Sequence, residues 1–207
     1  MFEKGRLAFL SKYAVAGRHY DKDAELDKLV DSRIKDASEG APPYDTTLDS
    51  DHERYGKYPE HSIDKILNYT GPCKDDLKTN FLMSDHATPE HAKKYIDMAT
   101  TNGWHDDMGV YAAIAKHHAS LPLDSHIKAA NNGRSSYHKL AEVTPHRELL
   151  DRIIAGSPKG HPVFDTIARN RNLTQEHIRH VLAKGDTRSI EELTKNPRFK
   201  EMNHEQN

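Results

Sequence analysis

The chain has 207 residues, of which 35% are hydrophobic and 30% charged, and 30 basic residues nearly balance 32 acidic ones. With mean hydropathy −0.88 and pI near 6.7, such a chain has no global basic field to hold nucleic acid and no large apolar supply for one thick core. The single cysteine, Cys73, excludes an intrachain disulfide and a thiolate zinc site, and no run approaches the roughly 18 apolar residues of a membrane span.

The first forty residues read as a helical pair. Phe2, Leu7, Phe9, Leu10 and Tyr13 form one apolar stripe, with Gly17 as its stop. The opening resembles a short signal peptide, but Lys12 interrupts its apolar segment, so a mature amphipathic helix is expected and no secretion. Asp21 or Asp23 caps a second helix with Leu26, Leu29, Val30 and Ile34 on one face, ending near Gly40. Residues 41–58 change to a polar, turn-rich linker. Its Tyr44, Tyr55 and Tyr58, together with Phe2 and Phe9, are the candidate anchors for a protein partner.

From Pro59 the chain repeats itself weakly. Five segments combine a helix-start signal with an apolar triplet, and aligning them places Ile63, Ala92, Ile127, Leu150 and Ile178 in register, with Ile66, Tyr95, Ala130, Ile153 and Val181 one turn on. Each is answered by a second helix whose signature is an apolar residue, a small residue and a polar exit: Ile114-Ala-Lys-His, Leu140-Ala-Glu, Ile167-Ala-Arg-Asn and Leu193-Thr-Lys-Asn, with Phe81-Leu-Met-Ser the loosest. Asn102-Gly103, Asn132-Gly133, Gly156 and Gly185 are placed to end helices in the left-handed conformation. Thr-Pro and Leu-Pro pairs begin helices where proline lacks only an unused donor. Alanines at a shared position (Ala115, Ala141, Ala168) allow close helix approach. A helix pair with so narrow an apolar stripe buries it only against another pair, so at least three units must fold together.

The Thr88-Pro-Glu-His91 opening and the Ile167-Ala-Arg-Asn170 exit followed by Asn172-Leu-Thr resemble short HEAT-like or leucine-rich-repeat-variant α-helical arrays, of the kind found in bacterial and bacteriophage proteins. The resemblance covers residues 59–197. It implies an all-α fold, a short right-handed α-solenoid of about five helix-pair repeats, with residues 198–207 as a polar tail. It also implies a non-enzymatic protein-interaction scaffold, placed in a virion or the cytoplasm of a host cell.

Three constellations compete with that reading. His61, His91, His126 and His177 recur at the repeat starts; equivalent atoms one helix diameter apart, roughly 10 Å, cannot share a metal at about 2.1 Å, so they read as residues that fix helix starts or pack on the previous unit. Trp104-His105-Asp106-Asp107 with His91 and Asp124 has the composition, though not a specific signature, of an HD-type metal phosphohydrolase, in which metal activates a water. The acids there equally suit a helix N-terminus. The Arg-rich stretch, with Arg134, Arg152, Arg169, Arg171, Arg179 and Arg188, offers a nucleic-acid-binding face, against a solvated face with interleaved acids. No Walker-type loop, dinucleotide fingerprint or calcium loop is present, and neither catalytic residue nor cofactor is expected. Oligomerisation is left open. The register itself is testable: Ile153→Asp buries an unpaired charge and should lower the unfolding free energy by about 4 kcal/mol in urea denaturation, whereas a surface position would move it by less than about 0.5 kcal/mol.

Overall fold

The computed structural model describes residues 22–40, 57–101 and 107–204. Among them are twelve α-helices, one 3-10 turn and no strand. Helix α1 (Lys22–Ser38) precedes α2 (Glu60–Asn68), α3 (Lys74–Met83) and α4 (Pro89–Thr101). Helix α5 (Asp107–His117) ends in the 3-10 turn His118–Ser120, followed by α6 (Leu123–Ala130), α7 (Arg134–Val143) and α8 (Arg147–Gly156). The chain closes with α9 (Val163–Arg169), α10 (Gln175–Lys184), α11 (Thr187–Lys195) and α12 (Pro197–His204). No helix among the described residues is long and apolar enough to cross a membrane.

Most helices pack on their next-but-one neighbour. In one run α4 packs on α6, α6 on α8 and α8 on α10; in the other α3 packs on α5, α5 on α7, α7 on α9 and α9 on α11. Phe81, Ile114, Leu140, Ile167 and Leu193, the apolar members of the second-helix signature, are all fully buried. The core is one thin cluster between the two runs, which is how a chain of this composition can shield apolar surface without a thick interior. Helix α1 joins that cluster through Leu26, Val30 and Ala37, lying on α2 and α3. Ion pairs stitch the outer run: Lys65 to Asp27 and Asp31, Lys94 to Asp64, Lys128 to Asp97, and Arg147 to Glu176.

Several expectations need correction. The register slips by one in α6, where His126 and Ala129 are buried while Ile127 and Ala130 remain half-exposed. Pro122 caps this helix, so His126 falls at the fourth helical position, which Ile63, Ala92, Leu150 and Ile178 occupy elsewhere. Of the glycines expected to end helices in the left-handed region, Gly103 lies outside the described residues and the other three are not left-handed. Gly133 is extended (φ −175°), Gly156 lies in the last turn of α8, and Gly185 has φ −68°. Gly185 is instead required by space: a Cβ there would lie 2.6 Å from the Val181 carbonyl oxygen and 2.8 Å from Ser189 Cβ. Only Pro89 of the Thr-Pro and Leu-Pro prolines takes the first helical position; Pro145 stays outside α8, whose cap is His146. Ala115 is half-buried, unlike Ala141 and Ala168. The expected polar tail is helical through His204, with Phe199 and Met202 packed on the core. The expected N-terminal partner of α1 lies outside the described residues.

The helix ends of the inner run are tied by buried amides. Asn170 Nδ2 donates to the carbonyls of Ala141 and Thr144 at the end of α7, both at 3.1 Å, while its Oδ1 accepts from Asn172 N–H. One unit later, Asn196 Nδ2 donates to Ala168 and Asn170, and its Oδ1 accepts from Arg198 N–H. Three residues after each apolar anchor, one side chain thus satisfies carbonyls that the previous helix leaves unpaired and starts the next segment. His117, three residues after Ile114, is buried at the same position, but its Nε2 has no hydrogen-bond partner among the described residues. Val143 holds this position in α7 and breaks the series. Asn170→Ala leaves two carbonyls with a lost donor and one amide unpaired in the interior, and should cost about 3 kcal/mol in urea unfolding, against less than about 0.5 kcal/mol for Arg171→Ala beside it.

Candidate functional site

The histidines expected at repeat starts occupy three different positions. His91 and His177 stand at the third position of α4 and α10 and close reciprocal caps. Thr88 N–H donates to His91 Nδ1 at 3.1 Å, and His91 N–H donates to Thr88 Oγ1. Thr174 and His177 repeat the arrangement. This is the capping-box geometry with imidazole in the place of a carboxamide or carboxylate. Because Nδ1 accepts, Nε2 carries the proton, and it points back to an acid on the preceding outer helix: Glu60 for His91 at 3.1 Å and Asp151 for His177 at 2.9 Å. Each of these side chains therefore starts its own helix and grips the previous one.

His61, by contrast, is largely exposed and faces Asp27. His126 is fully buried. His146 N–H donates to Thr144 Oγ1, which in turn lies 2.8 Å from His126 Nδ1. His126 Nε2 donates to the His118 carbonyl at 3.1 Å, and the His146 ring stands edge-on at 4.6 Å. Burial first, and the neighbouring His146 second, push the His126 pKa down to about 4.

This distribution bears on the metal alternative. His91 is held between Thr88 and Glu60, and Asp124 pairs with Lys128; His105 and Asp106 lie outside the described residues. No three ligand-type side chains converge among the described residues. Arg152 and Arg179 lie on the outer run, Arg134, Arg169 and Arg188 on the inner run, and Arg171 in the loop after α9. Arg169 pairs with Glu142 and Glu192, and Arg188 with Asp165. Of the aromatic anchors, Tyr58 is buried, stacked on His86 at 3.7 Å with its N–H donated to His86 Nδ1, so it presents no surface to a partner. Tyr44, Tyr55, Phe2 and Phe9 lie outside the described residues.

What sequence reasoning missed is a two-lobed cleft where α6, α7 and α8 meet the loop before α9. One lobe, of about 430 Å³, is lined by Arg134, Tyr137, His138, Gly156, Ser157 and His161 among others. The adjoining lobe, of about 220 Å³, is lined by Ile127, Leu149, Arg152 and Ile153, and the two share Ala130, Asn131 and Tyr137. The His138 and His161 rings lie stacked at 6.4 Å. Burial, then Arg134 and His161, hold the His138 pKa below its ordinary value. No sequence signal marks this cleft, because it depends on the slip of register in α6 that turns Ile127 out of the core.

No protein-family model matches the chain, and neither a curated protein nor a solved structure does.

The depressed pKa of His126 has a defined consequence. The unfolded chain takes up a proton near pH 6.5 whereas the folded one does so only near 4, so acid favours unfolding; the stability present at neutral pH is lost as pH falls through that window. His126 alone should remove about 2 kcal/mol between about pH 7 and about pH 5, before most carboxylates titrate. Urea unfolding of His126→Gln at both pH values should show a correspondingly smaller pH dependence, whatever the substitution does to stability at neutral pH.

Proposed function

We propose that the two runs of helices form a HEAT-like α-solenoid of helix-pair repeats, and that the protein is a non-enzymatic scaffold that binds a protein partner. The observation that carries this reading is where the reactive side chains go. His91, His177, Asn170 and Asn196, the polar residues of the repeat phrases, each bond the unit before them, so the recurring chemistry of the sequence builds the array itself. Next-but-one packing in both runs is the contact pattern of a stacked array. Such an array offers much surface per residue, which suits recognition of another macromolecule. The resemblance of the Thr-Pro-Glu-His phrase to arrays found in bacteriophage proteins supports reading it as a virion or host-interaction protein.

The paired state of Arg169 and Arg188 disfavours the nucleic-acid reading, since two of its six cations are already neutralised. Affinity capture from the native host separates the two. A single dominant protein retained after nuclease treatment and in high salt is the expected result. Recovery that depends on nucleic acid, weakens steeply with salt and is lost on charge reversal of Arg152 and Arg179 would overturn the scaffold reading.

A further inference from the structure

The cleft between α6, α7, α8 and the loop before α9 gathers two arginines without ion pairs beside two imidazoles. Arg134 and Arg152 make no ion pair among the described residues, in contrast to Lys65, Lys94, Lys128, Arg147, Arg169 and Arg188. His138 has ring contacts to Tyr137 and His161 but no hydrogen bond among the described residues. His161 Nδ1 accepts from Val163 N–H, which leaves the proton on Nε2 as a donor. The nearest acid to this group, Asp165, is already taken by Ser189 Oγ at 2.7 Å and by Arg188.

The adjoining lobe is more apolar, with Arg152 as its one charged lining residue. Ile127, Leu149 and Ile153 line it, and Ile127 is half-exposed because His126 takes the core position in α6. Tyr137 stands at the junction of the two lobes, with one end apolar and the other polar. The larger lobe, about 430 Å³, falls in the range of small-molecule sites. Basic donors at one end and an apolar wall at the other define one ligand chemistry.

We propose that this cleft binds a small organic anion, a carboxylate or phosphate carried on an apolar stem, with the anion among Arg134, His138 and His161 and the stem against Ile127, Leu149 and Ile153. The site stands independently of the scaffold reading, because neither the repeat packing nor a protein partner enters the argument. It also couples to protons. His138 faces Arg134 on its own helix, His161 on the following loop, and Asp165 and Arg169 on α9. An anion placed beside His138 favours its protonated ring, so binding takes up a proton there and tightens as pH falls from about 7.5 to about 6.

Phenyl phosphate is the probe, with inorganic phosphate and phenol as its two halves, followed by calorimetry and by NMR of the histidine ring signals. Phenyl phosphate should bind at least about tenfold more tightly than either half and shift the His138 and His161 signals. Arg134→Gln with His138→Gln should weaken it by about tenfold or more, Ile127→Ser should erase its advantage over inorganic phosphate, and Arg179→Gln, outside the cleft, should leave it unchanged. Unaltered melting of these surface variants shows that the fold is kept. Absence of binding, equal affinity for phenyl phosphate and inorganic phosphate, or indifference to Arg134 and Ile127 would overturn the proposal. A phosphotyrosyl peptide that binds far more tightly than phenyl phosphate would overturn the small-molecule assignment in favour of a side chain from a partner.

Discussion

Short helices have a problem that long ones do not, and its solution organises this molecule. A helix of about ten residues leaves about two fifths of its backbone groups at one end or the other without an intrahelical partner, and in isolation such a helix is marginal. All but two of the described helices run from seven to eleven residues. Their stability therefore depends on the side chains that close their ends. Asn170 and Asn196 close C-terminal ends of the inner run, and His91 and His177 close N-terminal ends of the outer run. Every one of these groups reaches the preceding helix as well as its own segment, so capping and stacking are a single interaction.

That coupling accounts for the polar composition. A histidine at the third helical position can accept a backbone N–H with Nδ1 and donate with Nε2, so one ring links two helices without carrying charge into the core. Asparagine does the same with its amide and its carbonyl. Buried polar groups normally cost free energy unless each atom is paired; here the pairing is complete for His91, His177, Asn170 and Asn196. His126 shows how much the environment matters. It enters an apolar position because the Thr144 hydroxyl and the His118 carbonyl meet its two nitrogens, and it remains neutral there because burial disfavours its charge.

The same substitution has a consequence on the surface. With His126 inside, Ile127 is turned toward the cleft, and the wall of that cleft becomes apolar next to Arg134 and Arg152. Lys94, Lys128 and Arg147, by contrast, are answered by acids on a neighbouring helix. In the cleft, Arg134 and Arg152 make no ion pair among the described residues, and Ile127 stays half-exposed beside the buried Leu149 and Ile153.

Local chemistry was legible in the residues themselves. The spacing of Leu26, Val30 and Ile34, the Thr-x-x-His phrases and the buried anchors Ile114, Leu140, Ile167 and Leu193 declare amphipathic helices and their starts, because helical period and capping act over only a few residues. The reading of His91 and His177 as groups that fix helix starts or pack on the previous unit came from the same local signals. Which acid answers each imidazole, which carbonyl receives Asn170, and whether His126 or Ile127 faces inward depend on atoms some 18 to 31 residues away. Gly185 illustrates the difference: sequence alone reads it as a left-handed stop, while the packing of Val181 and Ser189 shows a demand for space. The chain by itself thus determined the helical class and the places where helices begin. Tertiary structure decided their partners, the register of α6 and the cleft, because hydrogen bonding and burial are settled between units rather than within them.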